Sequence, residues 1–152
     1  MEKVDRTHWE RAELFEFFSA VSHPFYSVTF RVDVTNLYRY VKERHLSFYY
    51  AMGYLVTDAV NSVKNFHYAI RNGEVWLLDE RIPSLTDLKP GSEQFHIVTL
   101  PKVGGIAEFC ASAQARSAAQ KTLLDQDEEN NNLIYISCTP WLSLIHISEP
   151  TR

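Results

Sequence analysis

The dipeptide Asn72-Gly73 constrains this chain more than any other feature. It lies between two strand-like runs, His67-Tyr68-Ala69-Ile70-Arg71 and Glu74-Val75-Trp76-Leu77-Leu78. A two-residue loop between paired strands needs positive φ at both central positions, and Asn followed by Gly adopts that geometry at least cost. An antiparallel hairpin is therefore expected here. A lone hairpin is marginal in water, so further strands or a covering helix must supply an apolar partner.

The flanking sequence offers both. Positions 25–34 alternate, with Phe25, Ser27, Thr29, Arg31 and Asp33 on one face and Tyr26, Val28, Phe30, Val32 and Val34 on the other. This period of two predicts a strand. Further strands are expected over 84–88 and 94–100, and a buried strand over 133–139, stopped by Pro140-Trp141. Thr7 and Glu10 have capping-box spacing, so a first helix is expected to begin near Thr7 and to end at Pro24. Its apolar stripe is Trp9, Leu14, Phe17, Phe18 and Val21. Thr35 can cap a short second helix. Ser47 can cap a third, which carries Tyr50, Met52, Leu55, Val56, Ala59 and Val63 and is expected to be largely buried. A fourth helix is predicted over 106–124, followed by a polar, acidic loop. Helices and strands intermix, so the expected fold class is α/β (α+β), two layers with a mixed sheet and packed helices.

A chain of 152 residues fits one domain with one core. Its net charge is −4 with no long basic block, which argues against a nucleic-acid partner. No apolar run reaches the roughly 18–20 residues of a membrane helix, and the N-terminus lacks an apolar signal core. Cys110 and Cys138 form no CxxC and have no matched histidine pair, so no metal is expected. Both thiols are read as buried and reduced, hence cytoplasmic. His23-Pro24 reads as a turn histidine. Gly104-Gly105 after Lys102 is too sparse for a phosphate loop. The acidic run from Asp125 to Glu129 reads as a solvated loop.

The last eleven residues, 142–152, read Leu-Ser-Leu-Ile-His-Ile-Ser-Glu-Pro-Thr-Arg. They can be encoded without interruption by a transposon-end sequencing adapter. This segment is expected to be a foreign tail, with 1–141 the native part of a longer parent. A domain truncated at this point would leave the 133–139 strand with an unpaired apolar edge, an aggregation hazard.

Several segments share the order and spacing of one enzyme family. Trp9, Arg11, Phe15 and Phe18 resemble a Trp-x-Arg-x-x-x-Phe-x-x-(Phe/Tyr) helix. Asp33-Val-Thr35 resembles an Asp-Ile-Thr strand-to-helix step. Phe48-Tyr49 is similar to a Phe-Tyr-Pro helix start, with Tyr50 in place of the proline. The run from Phe66 to Asp79 resembles a Phe-Arg-x-Ala-x-x-x-Gly-Glu-x-x-x-Trp-Asp hairpin, with His67 for the arginine and Leu78 for the tryptophan. Ser137-Cys-Thr-Pro140-Trp141 resembles a Ser-x-x-Pro-Trp strand end. Together these resemble the trimeric type A chloramphenicol acetyltransferases from about Trp9 to Trp141. The stretch between Lys89 and Asn132 matches poorly.

The resemblance implies a fold of the CoA-dependent acyltransferase type and a homotrimer with active sites between subunits. It implies transfer of acetyl from acetyl-CoA to a hydroxyl of chloramphenicol, an antibiotic-resistance activity. The family's base is the second histidine of His-His-x-x-x-Asp-Gly. None of the six histidines here neighbours another, so the motif is expected in a missing C-terminal part and the chain itself is expected to be inactive. Ser137 matches the serine that stabilises the oxyanion. Phe17, Phe18 and Tyr26 match positions in or beside the drug pocket. Tyr135 falls where some relatives carry a polar pocket residue. Two other readings remain open: an acetyltransferase of the same fold acting on another hydroxyl, and a non-catalytic small-molecule binding or interaction domain. Without the resemblance, Ser137 would be an ordinary strand serine, and the three aromatics would be core.

Overall fold

The computed structural model describes residues 1–88, 91, 93–124 and 132–139. The acidic run, Pro140-Trp141 and the 142–152 tail lie outside the described residues. Among the described residues the architecture is α+β, with two three-stranded sheets, four α-helices and a short 3-10 helix at Lys64–His67. The elements are β1 (Glu2–Lys3), α1 (Ala12–Ser19), α2 (Thr35–Glu43), α3 (Phe48–Asn61), β2 (Tyr68–Arg71), β3 (Glu74–Leu77), β4 (Ile82–Leu88), β5 (Phe95–Thr99), α4 (Ile106–Ala119) and β6 (Leu133–Ile136).

The Asn72-Gly73 hairpin forms as expected. Asn72 has φ 52° and Gly73 φ 76°, both in the left-handed region. Tyr68 pairs with Leu77 and Arg71 with Glu74 across the turn. Beside β3 lies β1, antiparallel, with Glu2 opposite Leu77 and Lys3 opposite Trp76. The first sheet thus has the order β1-β3-β2. A strand at the extreme N-terminus was not expected, because Glu2 and Lys3 carry no β signature. The backbone of β3 recruits them.

The second sheet is mixed, in the order β5-β4-β6. The β4–β5 pair is antiparallel, from Ser84 opposite Thr99 to Leu88 opposite Phe95. The β4–β6 pair is parallel and runs from Ile82 opposite Leu133 to Leu85 opposite Ile136. Among the described residues β6 is therefore an edge strand, and it is half-buried where a buried strand was expected.

α3 packs on this sheet. Ser47 caps it as expected, its Oγ accepting from the Tyr50 amide at 3.3 Å. Gly53 lets the helix lie close: a Cβ there would stand 2.8 Å from Leu85 Cδ2. The expected burial is only partial. Tyr50, Ala51, Gly53 and Thr57 are buried, whereas Leu55 and Val56 are exposed. The core joins Tyr50 and Ala51 to Val41, Leu85, Val98, Leu100, Phe109, Cys110 and Ala113. Burying a side chain the size of Phe109 contributes about 2–3 kcal/mol.

Further expectations need correction, among them the Thr35 cap: Val34 takes the cap position of α2 without a side-chain bond, and Thr35 donates its amide to Asp33 Oδ1 at 2.9 Å. The first helix starts at Ala12, not near Thr7, and has no side-chain cap. Thr7 instead turns back to Asp5, donating its amide (3.0 Å) and hydroxyl (2.7 Å) to that carboxylate, so no capping box forms. Residues 25–34 belong to neither ladder and are not a strand. Alternation suits a pleated surface, but a strand also needs a partner backbone. α4 stops at Ala119, short of 124. Gln120 Nε2 donates to Ile97 O at 2.8 Å and the Ile97 amide to Leu123 O at 2.8 Å, which ties 120–123 back to β5. Finally, Cys138 is exposed because it lies beyond the β4–β6 ladder, although Cys110 is buried as expected; both are free thiols.

Candidate active site

Two places in the fold collect the residues of interest. The first is a groove of about 1130 Å³ beside α1, whose lining includes Arg6, Trp9, Phe15, Phe18, Phe25 and Tyr68. Trp9 builds it. Its ring lies 5.2 Å from that of Tyr68 and 5.9 Å from that of Phe15, fixing α1 to the hairpin. Arg6 extends over Phe15, 5.1 Å from the ring centre, and pairs with Glu16 at 2.9 Å. The wall is thus mostly apolar, with Arg6, Arg11 and Glu16 among its charged members, and is suited to a small apolar molecule that carries polar groups.

The second place is the end of β6, where Ser137 follows the last paired residue, Ile136. Tyr49, on the first turn of α3, reaches this point. Its hydroxyl lies 2.8 Å from Thr86 O and 3.0 Å from Ile136 O, its single proton shared between the two carbonyls. Burial first, then Asp87 and Cys138, push the Tyr49 phenol up to about 12, so it remains a donor at neutral pH.

Next to Tyr49, a buried chain of hydrogen bonds links three further elements. Ser117 Oγ donates to Asp87 Oδ2 at 2.6 Å, and the Tyr50 hydroxyl donates to the same oxygen. The Leu88 amide donates to Asp87 Oδ1 at 2.8 Å. His96 is fully buried, with Nε2 2.9 Å from Ser117 Oγ. Ser117 gives its proton to Asp87, so His96 must donate through Nε2. Burial pushes the Asp87 carboxyl up, but hydrogen bonds from Ser117, Tyr50 and Leu88 outweigh it, and the net direction is down. Despite its Ser, His and Asp members, this chain is not a nucleophilic triad. The serine proton points to the carboxylate and not the imidazole, and Ser117 is buried.

The sequence-predicted site residues fall unevenly. Phe18 lines the groove. Phe17 stands edge-on to it, ring centres 5.2 Å apart and 88° between planes, but is not among the lining residues. Tyr26, 89% exposed, and Tyr135, 75% exposed, are both outside it. Ser137 is exposed at the strand end. None of the three aromatics from α1 and the following ribbon is core, as their spacing alone would have suggested. Sequence reasoning missed Arg6, Tyr49 as a bridge, and the Asp87–Ser117–His96 chain. Of these, Tyr49 carried a signal as part of the Phe-Tyr-Pro-like helix start, and so did the neighbouring Tyr50, which stands for the family proline. Its partner is 37 positions away.

The family model for chloramphenicol acetyltransferase matches residues 1–148. The chain belongs to this family. Chloramphenicol acetyltransferase 3 of Escherichia coli is 28% identical over 144 residues, an alignment covering 93% of this chain and 68% of that protein. A chloramphenicol acetyltransferase of Clostridium perfringens is 29% identical over 144 residues, covering 92% and 68%. A solved chloramphenicol acetyltransferase structure superposes with a TM-score of 0.79 at 27% identity, covering 92% of this chain and 70% of that one. The mixed sheet with its packed helices is therefore the acetyltransferase fold. No helix among the described residues is long and apolar enough to cross a membrane.

Proposed function

We propose that this chain is the N-terminal part of a type A chloramphenicol O-acetyltransferase, a cytoplasmic homotrimer that confers antibiotic resistance. The observation that carries the proposal is the family match along nearly the whole chain, joined to a superposition at 0.79. In the proposed reaction acetyl-CoA supplies an activated acyl thioester. A base removes the proton of a drug hydroxyl as its oxygen attacks the thioester carbonyl. The Ser137 hydroxyl donates to the oxyanion that develops, and collapse expels the CoA thiolate, which takes the proton back from the base. Phe17, Phe18 and Tyr26 supply apolar surface for the drug.

The trimer reading draws support from the 25–34 ribbon. Phe25, Tyr26, Val28, Phe30 and Val32 are each more than 60% exposed, a large apolar surface for a lone chain. Residues 1–141 would be native and 142–152 adapter-derived, with the base motif encoded further on. The relatives leave room for it, since the match covers only 68% of their length. Tyr135 favours a second reading, acetyl transfer to a different hydroxyl, because a bulky phenol replaces a polar pocket residue of some relatives.

Thiol release from acetyl-CoA tests the proposal. The full-length gene product should turn over chloramphenicol, and the 152-residue chain should not, because no two of its histidines are adjacent. Turnover by the 152-residue chain overturns the expected inactivity. A full-length protein that releases thiol only with other hydroxyl compounds favours the second reading.

A further inference from the structure

Ser137 lies one residue past the edge of the sheet. The parallel ladder ends at Leu85 opposite Ile136, so Ser137 is held by neither a flanking pair nor a second neighbouring strand among the described residues. A donor serves an oxyanion only if it is fixed within a fraction of an ångström before the charge develops. Among the described residues, a side chain from the first turn of α3 reaches this end of the ladder.

We infer that Tyr49 is the positioning residue for Ser137, its hydroxyl bridging the carbonyls of Thr86 and Ile136 where the β4–β6 ladder stops. The Ile136 carbonyl belongs to the peptide group that enters Ser137, so its hydrogen bond fixes the plane from which the serine side chain departs. The other half of the bridge ties that plane to β4, the central strand. The first turn of α3 is itself rigid. Ser47 caps it, Tyr50 is buried and bonded to Asp87, and the Cys110 thiol donates to Ser47 O at 3.8 Å. Tyr49 thus transmits the position of a packed helix to an exposed strand end. The neighbouring phenol, Tyr50, points instead to Asp87 and does not share this task.

The inference rests on the oxyanion role proposed for Ser137, and a double-mutant cycle separates the two in the full-length protein. Ser137→Ala should lower kcat about a hundredfold, the size of a lost oxyanion donor. Tyr49→Phe should lower kcat about tenfold with KM for chloramphenicol nearly unchanged, as a displaced donor would. In the Ser137→Ala background Tyr49→Phe should cost nothing further. If Ser137→Ala leaves kcat intact, the oxyanion reading fails. If Ser137→Ala is costly and Tyr49→Phe lowers kcat equally in both backgrounds, or not at all, the positioning inference fails. A 3,5-difluorotyrosine at position 49 keeps the shape should the phenylalanine variant not fold. Its more acidic phenol should add an alkaline fall in kcat that vanishes with Ser137→Ala, and persistence of that fall without the serine would overturn the inference.

Discussion

The helices α1 and α3 are built from similar material and meet opposite fates. α1 carries Leu14, Phe15, Phe17 and Phe18 in eight residues and buries none of them fully. α3 carries a comparable density of aromatic and aliphatic side chains and buries Tyr50, Ala51, Gly53 and Thr57. The difference is the partner. α3 lies against β4 and α4, whereas α1 touches the rest of the chain chiefly through Trp9 and its contact with Tyr68. Apolar composition is thus a capacity for burial, and tertiary or quaternary neighbours decide whether it is used. The α1 side and the 25–34 ribbon leave their aromatics exposed, the surface that the proposed drug and trimer contacts would use.

The contrast breaks most visibly in the packed half. Phe109 is 1% exposed in the centre of the core. Phe109→Ala should remove about 3–5 kcal/mol of stability, read from urea unfolding, through lost burial and the cavity left behind. Second in size is Asp87→Asn, which replaces an acceptor of three hydrogen bonds and should cost about 1–3 kcal/mol. Asp87 also gives the packed half a pH dependence. Its folded value is below the unfolded 3.8, so its contribution is complete above that value and is lost as pH falls through the lower folded one. Acid unfolding followed by tryptophan fluorescence should therefore shift upward in pH relative to a neutral reference variant when Tyr50→Phe removes one donor. An unchanged acid midpoint would remove Asp87 from the account.

The hairpin gives a smaller effect. Gly73 sits at φ 76° with no atom within 4 Å of where a Cβ would be. Gly73→Ala therefore meets no clash and should cost about 1 kcal/mol, the backbone penalty alone. A loss as large as that for Phe109→Ala would mean that the turn supports more than its own two strands.

Features set by neighbours along the chain were the legible ones. The Asn72-Gly73 turn and the Ser47 cap each depend on a few consecutive residues, and both formed as read. Thr7 shows the limit of that reasoning, because Asp5 competed for the same hydroxyl and won. The ribbon shows another: alternation at 25–34 described a surface ready to pair but carried no information on whether a partner was present. The proposed site is less legible still. Phe17, Phe18, Tyr26, Tyr135 and Ser137 came from resemblance, and the fold scatters them: Phe18 lines the groove, Phe17 stands beside it, Tyr26 is exposed on the ribbon, and Tyr135 and Ser137 lie on and just past β6. The contacts that organise the strand end, Tyr49 to Ile136 and Tyr50 to Asp87, span 87 and 37 positions, and no local pattern encodes them.

The smallest expected effect on stability is the sharpest test of the comparison. Phe30 is 74% exposed in the ribbon. Phe30→Ser should change unfolding free energy by less than about 0.5 kcal/mol, since it removes little buried surface. The same change should reduce self-association of the 152-residue chain, measured by sedimentation velocity, because it deletes exposed apolar area that a second copy can cover. Stability and association should thus respond in opposite proportion in the two halves, with Phe109 governing folding and Phe30 governing assembly. A Phe30→Ser protein that unfolds as readily as Phe109→Ala would show that the ribbon is packed in solution. That aromatic surface would then belong to the core of the isolated chain, and the comparison between α1 and α3 would lose its basis.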